Sequence, residues 1–522
     1  MEPMSISSFF SRSRDFHARH LRPVSSSTTL EYLLKSQRLG EDDVHKYINS
    51  TRIIVHSAVY RIAKDFLAYK KTHGTTTEKN VYASQIKWNT DSFLIRLIEK
   101  RPLVFFTSND TTLLRNNKKI HSGFSAWDRC GSDHEHPDIP MKDYLSYDEM
   151  MVSSLIGVSG YTPYFNDGNR HNRGIEGVPN TYQREGVQVG LVGARFERSG
   201  RMDSTYSFSP SGSKPPSRFF PFEAYFPGSN FEARYKARMR ITIETLLLEA
   251  DLRGREAHKK VYLNIVGLGL GVWGVRQEQS RWYVEVFTQC LADLNLKNIA
   301  VLEFAYIDVD AKTQMDVAKA ASQCHAKCVF NQRAPSARLQ DTTLLLVTTY
   351  AWDSNAYPGN EYYIGYLNAS GDPAAACSSA IAETQNPEIN KTMLKVIYKL
   401  KSADHAPNAN VKMGRPMLAQ WGVRISNSDF HKLEAGYKPR DMDDKWAIKA
   451  DRPDSNGKIL VRFSRSWTGE EQIVLRVRRT SDGGAKIETI VWDQRNDGPD
   501  FTEHESKETA KDLCRGLLGV KW

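Results

Sequence analysis

The chain has 522 residues, 40% of them hydrophobic and 11% aromatic, a composition that excludes disordered and fibrous classes and predicts two to four folded domains. A formal charge of +10, from 71 basic against 61 acidic residues, favours phosphate-bearing partners. The basic residues are spread along the chain without a nucleic-acid-binding signature, so sequence-specific nucleic-acid binding is not expected. Six scattered cysteines read as reduced thiols rather than a disulfide framework, and no apolar run is long enough for a membrane span or secretory signal. A cytoplasmic location is expected. The Ser/Arg-rich start leaves open delivery into a host cell by a specialised export machine.

Residues 1–40 lack periodicity and are predicted to be disordered. From Val44 to Tyr69 apolar residues at helical spacing (Tyr47, Ile53, Ile54, Val59, Ile62, Phe66) predict one helix. A second helix near Ser92–Ile98 leads into the strand-like run PLVFFTS. Residues 41–145 thus read as an N-terminal α/β region packed on the core. A helix is predicted over Asp143–Val158, stopping at Gly157 and Gly160, and the polar loop YTPYFNDGNRHNRGIEG follows. VQVGLVGARFE alternates like a strand, Ser209–Ser217 is a Pro/Ser/Gly connector, and Phe231–Leu252 reads as an amphipathic helix. Strands KKVYLNIVG, NIAVLEFAYI and TTLLLVTTYAW then alternate with helices over Glu278–Leu294 and Thr313–Ala326. That rhythm predicts an α/β domain at 146–405, built on a largely parallel sheet covered on both faces. Residues 415–522 carry short strands between polar turns and a helix from about Lys507, which predicts a small β-rich accessory module.

Three stretches have the residue types for chemistry. Gly267-Leu-Gly269-Leu-Gly271-Val272-Trp273-Gly274 joins a strand to a helix, where backbone N–H groups can approach a pyrophosphate with no Cβ in the way. Its spacing fits neither the dinucleotide-fold nor the P-loop fingerprint, and a plain tight turn is the alternative. After TTLLLVTTYAW, the residues Asp353, Asn355, Gly359, Asn360 and Glu361 gather carboxylates and amides at a strand end, where open α/β sheets bind ligands. Asp372, ahead of Pro373, reads as an N-cap or a ligand contact. The third stretch holds Asn166, Asp167, Asn169, Arg170 and Asn172, with Arg170 or Arg173 placed to clamp a phosphate, against the alternative of a solvated loop. Cys130 with His134 and His136, and Cys324-His325 with Cys328, do not complete a four-ligand set, so no metal and no cofactor are expected.

GLGLGVWG after a strand, DSNAYPGNEYY followed by SGDPAAACSSAI and NPEIN, and the earlier NDGNRHN resemble the atypical macrodomains of bacterial effectors that remove ADP-ribose from arginine, distant relatives of poly(ADP-ribose) glycohydrolases. The resemblance spans about 145–395. It implies a macrodomain-like mixed sheet, Gly267–Gly274 as the diphosphate loop and Asp353–Glu361 as the distal-ribose loop. Two features depart from the macrodomain pattern: Asp353-Ser354-Asn355 replaces the usual Asn-Ala-Ala-Asn, and the two loops come in reverse order. KWAIKADRPDSNGKILVRFSRSWTGEEQIVLRV, with Arg465–Gly469 as its core, resembles a β module found with ADP-ribose-processing proteins. The leading expectation is therefore a hydrolase that removes ADP-ribose from modified protein side chains, with Glu361 and Asp353 catalytic and ADP-ribose or an ADP-ribosylated protein as partner. A non-catalytic ADP-ribose reader and an NAD-using ADP-ribosyltransferase are the alternatives.

Overall fold

The computed structural model describes residues 4–521 except 84–88, 122, 199, 206–217, 227, 354, 396, 401–415, 440–443, 452, 454–457, 467–470, 481–482 and 494–501. It divides into two compact units, Met1–Ser402 and Ala403–Trp522.

The first unit starts with order where disorder was expected. Ser5 caps the helix Ile6–Arg19, which buries Phe9, Phe10 and Phe16. Phe9 and Phe16 lie two turns apart on one face with Phe10 beside them, and that apolar stripe outweighs the Ser/Arg-rich composition. The single helix expected over 44–69 is also corrected: a helix Glu41–Ser50, strand β1 (Arg52–His56) and a helix Ser57–His73 occupy it. The β-branched run Ile53-Ile54-Val55 enters the sheet as a wholly buried strand. The helix expected over 143–158 covers only Tyr147–Ser153.

The remaining strands of this unit are β2 (Val104–Phe106), β3 (Thr111–Leu113), β4 (Lys119–Ile120), β5 (Ile156–Pro163), β6 (Glu185–Leu191), β7 (Val261–Ile265), β8 (Ile299–Ala305), β9 (Lys327–Asn331), β10 (Leu345–Ala351) and β11 (Ile397–Leu400). β2, β3 and β4 form a small antiparallel sheet. The others form one eight-stranded mixed sheet in the order β11-β1-β5-β6-β10-β7-β8-β9. β6, β10, β7, β8 and β9 run parallel, while β5 lies antiparallel between β1 and β6. The long helix Phe231–Ala257 packs Met239, Ile243, Leu246 and Leu247 onto Val189, Leu263, Val347 and Leu302 of this sheet. Adjacent parallel strands bring their following loops together at one edge, so the turns after β6, β10 and β7 are neighbours.

The second unit is an antiparallel sheet of β12 (Pro416–Ile425), β13 (Trp446–Ala450), β14 (Lys458–Arg465), β15 (Glu471–Arg479) and β16 (Ala485–Asp493), in the order β12-β16-β15-β14-β13. Phe430 and Leu433 of the helix Asn427–Ala435, with Ala510 of the helix Glu503–Leu513, share its core with Val461, Phe463 and Leu475. The closing helix begins at the Thr502 cap, ahead of the expected Lys507. Trp467-Thr468-Gly469 lie outside the described residues. Among the described residues no helix is long and apolar enough to cross a membrane.

Candidate active site

β10 ends at Ala351, and Asp353 stands just beyond it, between the turns that follow β6 and β7. Asp353 Oδ2 accepts a hydrogen bond from the Asn360 amide, while its other oxygen accepts none among the described residues. Asn360 is buried, and its Oδ1 takes the Glu361 N–H at 2.6 Å. Gly359, at φ +79°, turns the chain back, a left-handed conformation that glycine adopts without strain. Asp372 was expected to cap its own helix or touch the ligand. Gly371 holds the cap position instead, and the buried Asp372 carboxylate accepts the N–H groups of Gly359 at 2.8 Å and Asn360 at 3.1 Å. It anchors the turn that carries Glu361.

The electrostatics distinguish the three carboxyl groups. Burial raises Asp353 to about 6, against the pull of the nearby Arg195 guanidinium. Burial, helped by the Asp353 charge, raises Glu361 to about 7. Asp372, also pushed up by burial and by Asp353, lies well above the ordinary carboxylate range. The Glu361 carboxylate accepts no hydrogen bond among the described residues, which leaves it free for a ligand. Two partly exposed carboxyl groups that titrate near neutrality at one strand end are suited to proton transfer.

The Gly-rich loop after β7 forms the adjoining wall. Gly269 sits at φ +74°, and its backbone lies so close to the turn after β6 that a Cβ on Gly193 would stand 2.3 Å from Gly269 N. Beyond this contact the loop opens outward: a Cβ on Gly271 would meet nothing within 4 Å, and Val272 is 90% exposed. The N–H groups of Gly269, Gly271, Val272 and Trp273 donate to no described residue. Amides without a protein acceptor, on a loop that precedes the helix Gln279–Asp293, suit an anionic ligand. The Arg195 guanidinium lies over the Trp273 ring of this loop, 5.4 Å from its centroid.

Arg195 is the principal residue that the sequence reading missed. Its side chain is 4% exposed, pairs with Asp110 at 2.9 Å and Glu197 at 3.0 Å, and lies over the Phe105 ring at 5.3 Å. Asp110 is held in turn by the Tyr147 hydroxyl. Behind it, Asp203 takes Arg195 N at 2.7 Å and Arg238 Nε at 2.9 Å. Gly193-Ala194-Arg195 directly after a strand was the available signal, but its partners come from distant segments.

The structure does not bring the stretch 166–172 to this site. Because β5 and β6 are antiparallel, their connecting loop leaves from the opposite edge of the sheet. There the Asn166 amide donates to Ile175 O and Cys377 O, and Asp167 accepts Asn169 N and the Asn172 amide. Asn169, Arg170 and Arg173 are exposed. Asn355 is wholly buried, its amide 3.9 Å from Met202 Sδ, and so lines the interior of the strand-end turn.

The chain matches the family described as ADP-ribosylhydrolase MavL-like over residues 8–206 and 217–406. It is 30% identical to the Drosophila melanogaster ADP-ribosylarginine hydrolase CG3568, over 71% of this chain and 83% of the relative. It is 27% identical to the ADP-ribosylarginine hydrolase CG2909 of the same organism, over 75% of this chain and 85% of the relative.

Proposed function

Since the chain belongs to the MavL-like ADP-ribosylhydrolase family, and so removes ADP-ribose by hydrolysis, we propose that its substrate is ADP-ribosylated arginine and that the edge formed by β6, β10 and β7 is the active site. In this reading the free amides of Gly269, Gly271, Val272 and Trp273 take the diphosphate, and the turn Asp353–Glu361 takes the distal ribose. A macrodomain-like relationship is consistent with the mixed sheet and with the position of both loops at strand ends.

The carrying observation is the pair of raised carboxyl groups, Asp353 near 6 and Glu361 near 7, beside a loop whose Gly269, Gly271, Val272 and Trp273 amides have no acceptor among the described residues. Arg195, Arg101 and the Asn360 amide all favour the Asp353 anion, whereas burial and the Asp353 charge both favour protonated Glu361, so Asp353 is the group that ionises and Glu361 the one that keeps its proton. The Asp353 carboxylate takes a proton from the water that attacks C1″ of the ribose and stabilises positive charge developing on the ring. Glu361 gives its proton to the departing guanidine nitrogen as the C–N bond breaks. Water is consumed, ADP-ribose and unmodified arginine leave, and the two carboxyl groups re-equilibrate with solvent. Asp372 and Asn360 hold the turn, and Arg195 limits how far burial raises Asp353.

The test compares peptides carrying ADP-ribose on arginine, serine or glutamate, with release followed by mass spectrometry. Release from arginine at least about 10²-fold faster than from the oxygen-linked peptides, lost in Glu361→Gln, is expected from general-acid assistance. Equal rates on all three would remove the arginine assignment.

A further inference from the structure

Behind the strand end lies a buried cation that makes no salt bridge among the described residues. Arg101, just after the helix Thr90–Glu99, is 0% exposed. Its guanidinium donates to Leu97 O at 2.8 Å, Ser153 Oγ at 2.5 Å, and Ser153 O and Ala356 O at 3.4 Å, all neutral acceptors. It lies over the Trp352 ring at 4.0 Å. Other buried arginines of this unit have acidic partners: Arg96 with Glu149, Arg195 with Asp110, Arg238 with Asp203, and Arg52 and Arg253 with Glu249. Among the described residues Arg101 has none. An isolated buried charge of this kind is costly to the fold. Burial lowers Arg101 to about 9, which still leaves it cationic at neutral pH.

Its contacts indicate what the charge serves. Trp352 and Ala356 bracket Asp353, and the Trp352 indole N–H donates to Ala356 O at 3.1 Å, the same carbonyl that Arg101 reaches. Arg101 thus braces both ends of the turn that carries Asp353. The charges facing Asp353 from the other elements are Arg195 and Glu197 after β6, Glu361 in the following turn and Asp372 in the helix after it, with Asp110 behind Arg195. Arg195 acts most strongly on Asp353, yet its charge is shared with Asp110 and Glu197. Arg101 is the cation left over.

We propose that Arg101 is a positioning residue for the hydrolysis: its unneutralised charge favours the anionic form of Asp353, and its grip on Trp352 and Ala356 fixes the turn that presents that carboxylate. The proposal rests on the assignment of Asp353 above. It is tested by carboxyl NMR titration of the full chain labelled with 13C-aspartate, with Asp353 assigned through Asp353→Asn. The Asp353 midpoint should rise by about one pH unit in Arg101→Gln and stay within about 0.3 unit in Arg101→Lys, as loss or retention of a nearby opposite charge requires. Ser153→Asp keeps Arg101 in place but supplies a counter-ion, so it should raise the midpoint similarly, and it decides the matter if Arg101→Gln does not fold. In each variant the acid limb of the kcat/KM profile should follow the midpoint. A midpoint unmoved in Ser153→Asp, or in folded Arg101→Gln, overturns the proposal. Because the titration needs no turnover, a wild-type chain that releases no ADP-ribose would count against the reaction and not against Arg101.

Discussion

Replacing Asp353 by Asn should make the protein more stable and almost inactive, and the stability gain should depend on pH. Burial raises the carboxyl from 3.8 to about 6, so folding favours its protonated form. For a raised carboxyl group the folded state bears no penalty below about pH 3.8; the penalty grows between there and about pH 6, and above that it is complete. A shift of about two units, at about 1.36 kcal/mol each, bounds the penalty at about 3 kcal/mol. Asn resembles the neutral acid in shape and still offers an oxygen to the Asn360 amide, so it should recover about 1–3 kcal/mol at pH 8 and almost none at pH 4. Denaturant unfolding of wild type and variant at both pH values measures the difference. Release of ADP-ribose should fall by about 10²- to 10⁴-fold at the same time. A variant less stable than wild type at pH 8, or equally stabilised at pH 4 and pH 8, would refute the claim that Asp353 sits strained and charged.

The kcat/KM profile of the wild type should be bell-shaped, with limbs near 6 and 7 from Asp353 and Glu361, and Glu361→Gln should flatten the alkaline limb; a plateau extending to pH 9 would remove Glu361 as the acid. Gly271→Val should abolish ADP-ribose binding in calorimetry with the melting temperature unchanged, since its Cβ enters open space, and retained affinity would displace the diphosphate from this loop. Gly269→Val should instead lower stability, because the residue has φ +74° and its Cβ would lie 3.0 Å from Ala194 O; an unchanged melting temperature would contradict that packing. A chain ended after Ser402 contains every proposed site residue and should keep kcat/KM within about threefold of the full chain, by the expected independence of compact units. Loss of activity in a folded truncation would assign the second unit a part in catalysis.

The Gly-rich loop and the turn Asp353–Glu361 were legible in the sequence because each follows a near-continuous apolar strand. Parallel strands deliver such loops to a common edge, and β10 and β7 are neighbours. The stretch Asn166–Asn172 could not be located from sequence for the complementary reason: composition shows a polar loop, but not that β5 runs antiparallel and carries it to the far edge. The Arg195–Asp110–Tyr147 set was invisible because its members come from three separated segments and only folding joins them. Asp372 looked like a cap because Asp-Pro at a helix start usually is one, yet its carboxylate is spent on the Gly359–Asn360 backbone. Buried phenylalanines likewise turned a compositionally weak N-terminus into an ordered helix.

The most direct test of the central claim is single-turnover hydrolysis of an arginine-ADP-ribosylated peptide at pH 6.5 by wild type and by Asp353→Asn, with free ADP-ribose affinity measured in parallel. The account predicts that wild type returns unmodified arginine and free ADP-ribose, while the variant binds ADP-ribose within about tenfold of wild type and leaves the peptide modified, because the diphosphate contacts lie on the other loop. A variant that hydrolyses the peptide as fast as wild type would contradict it.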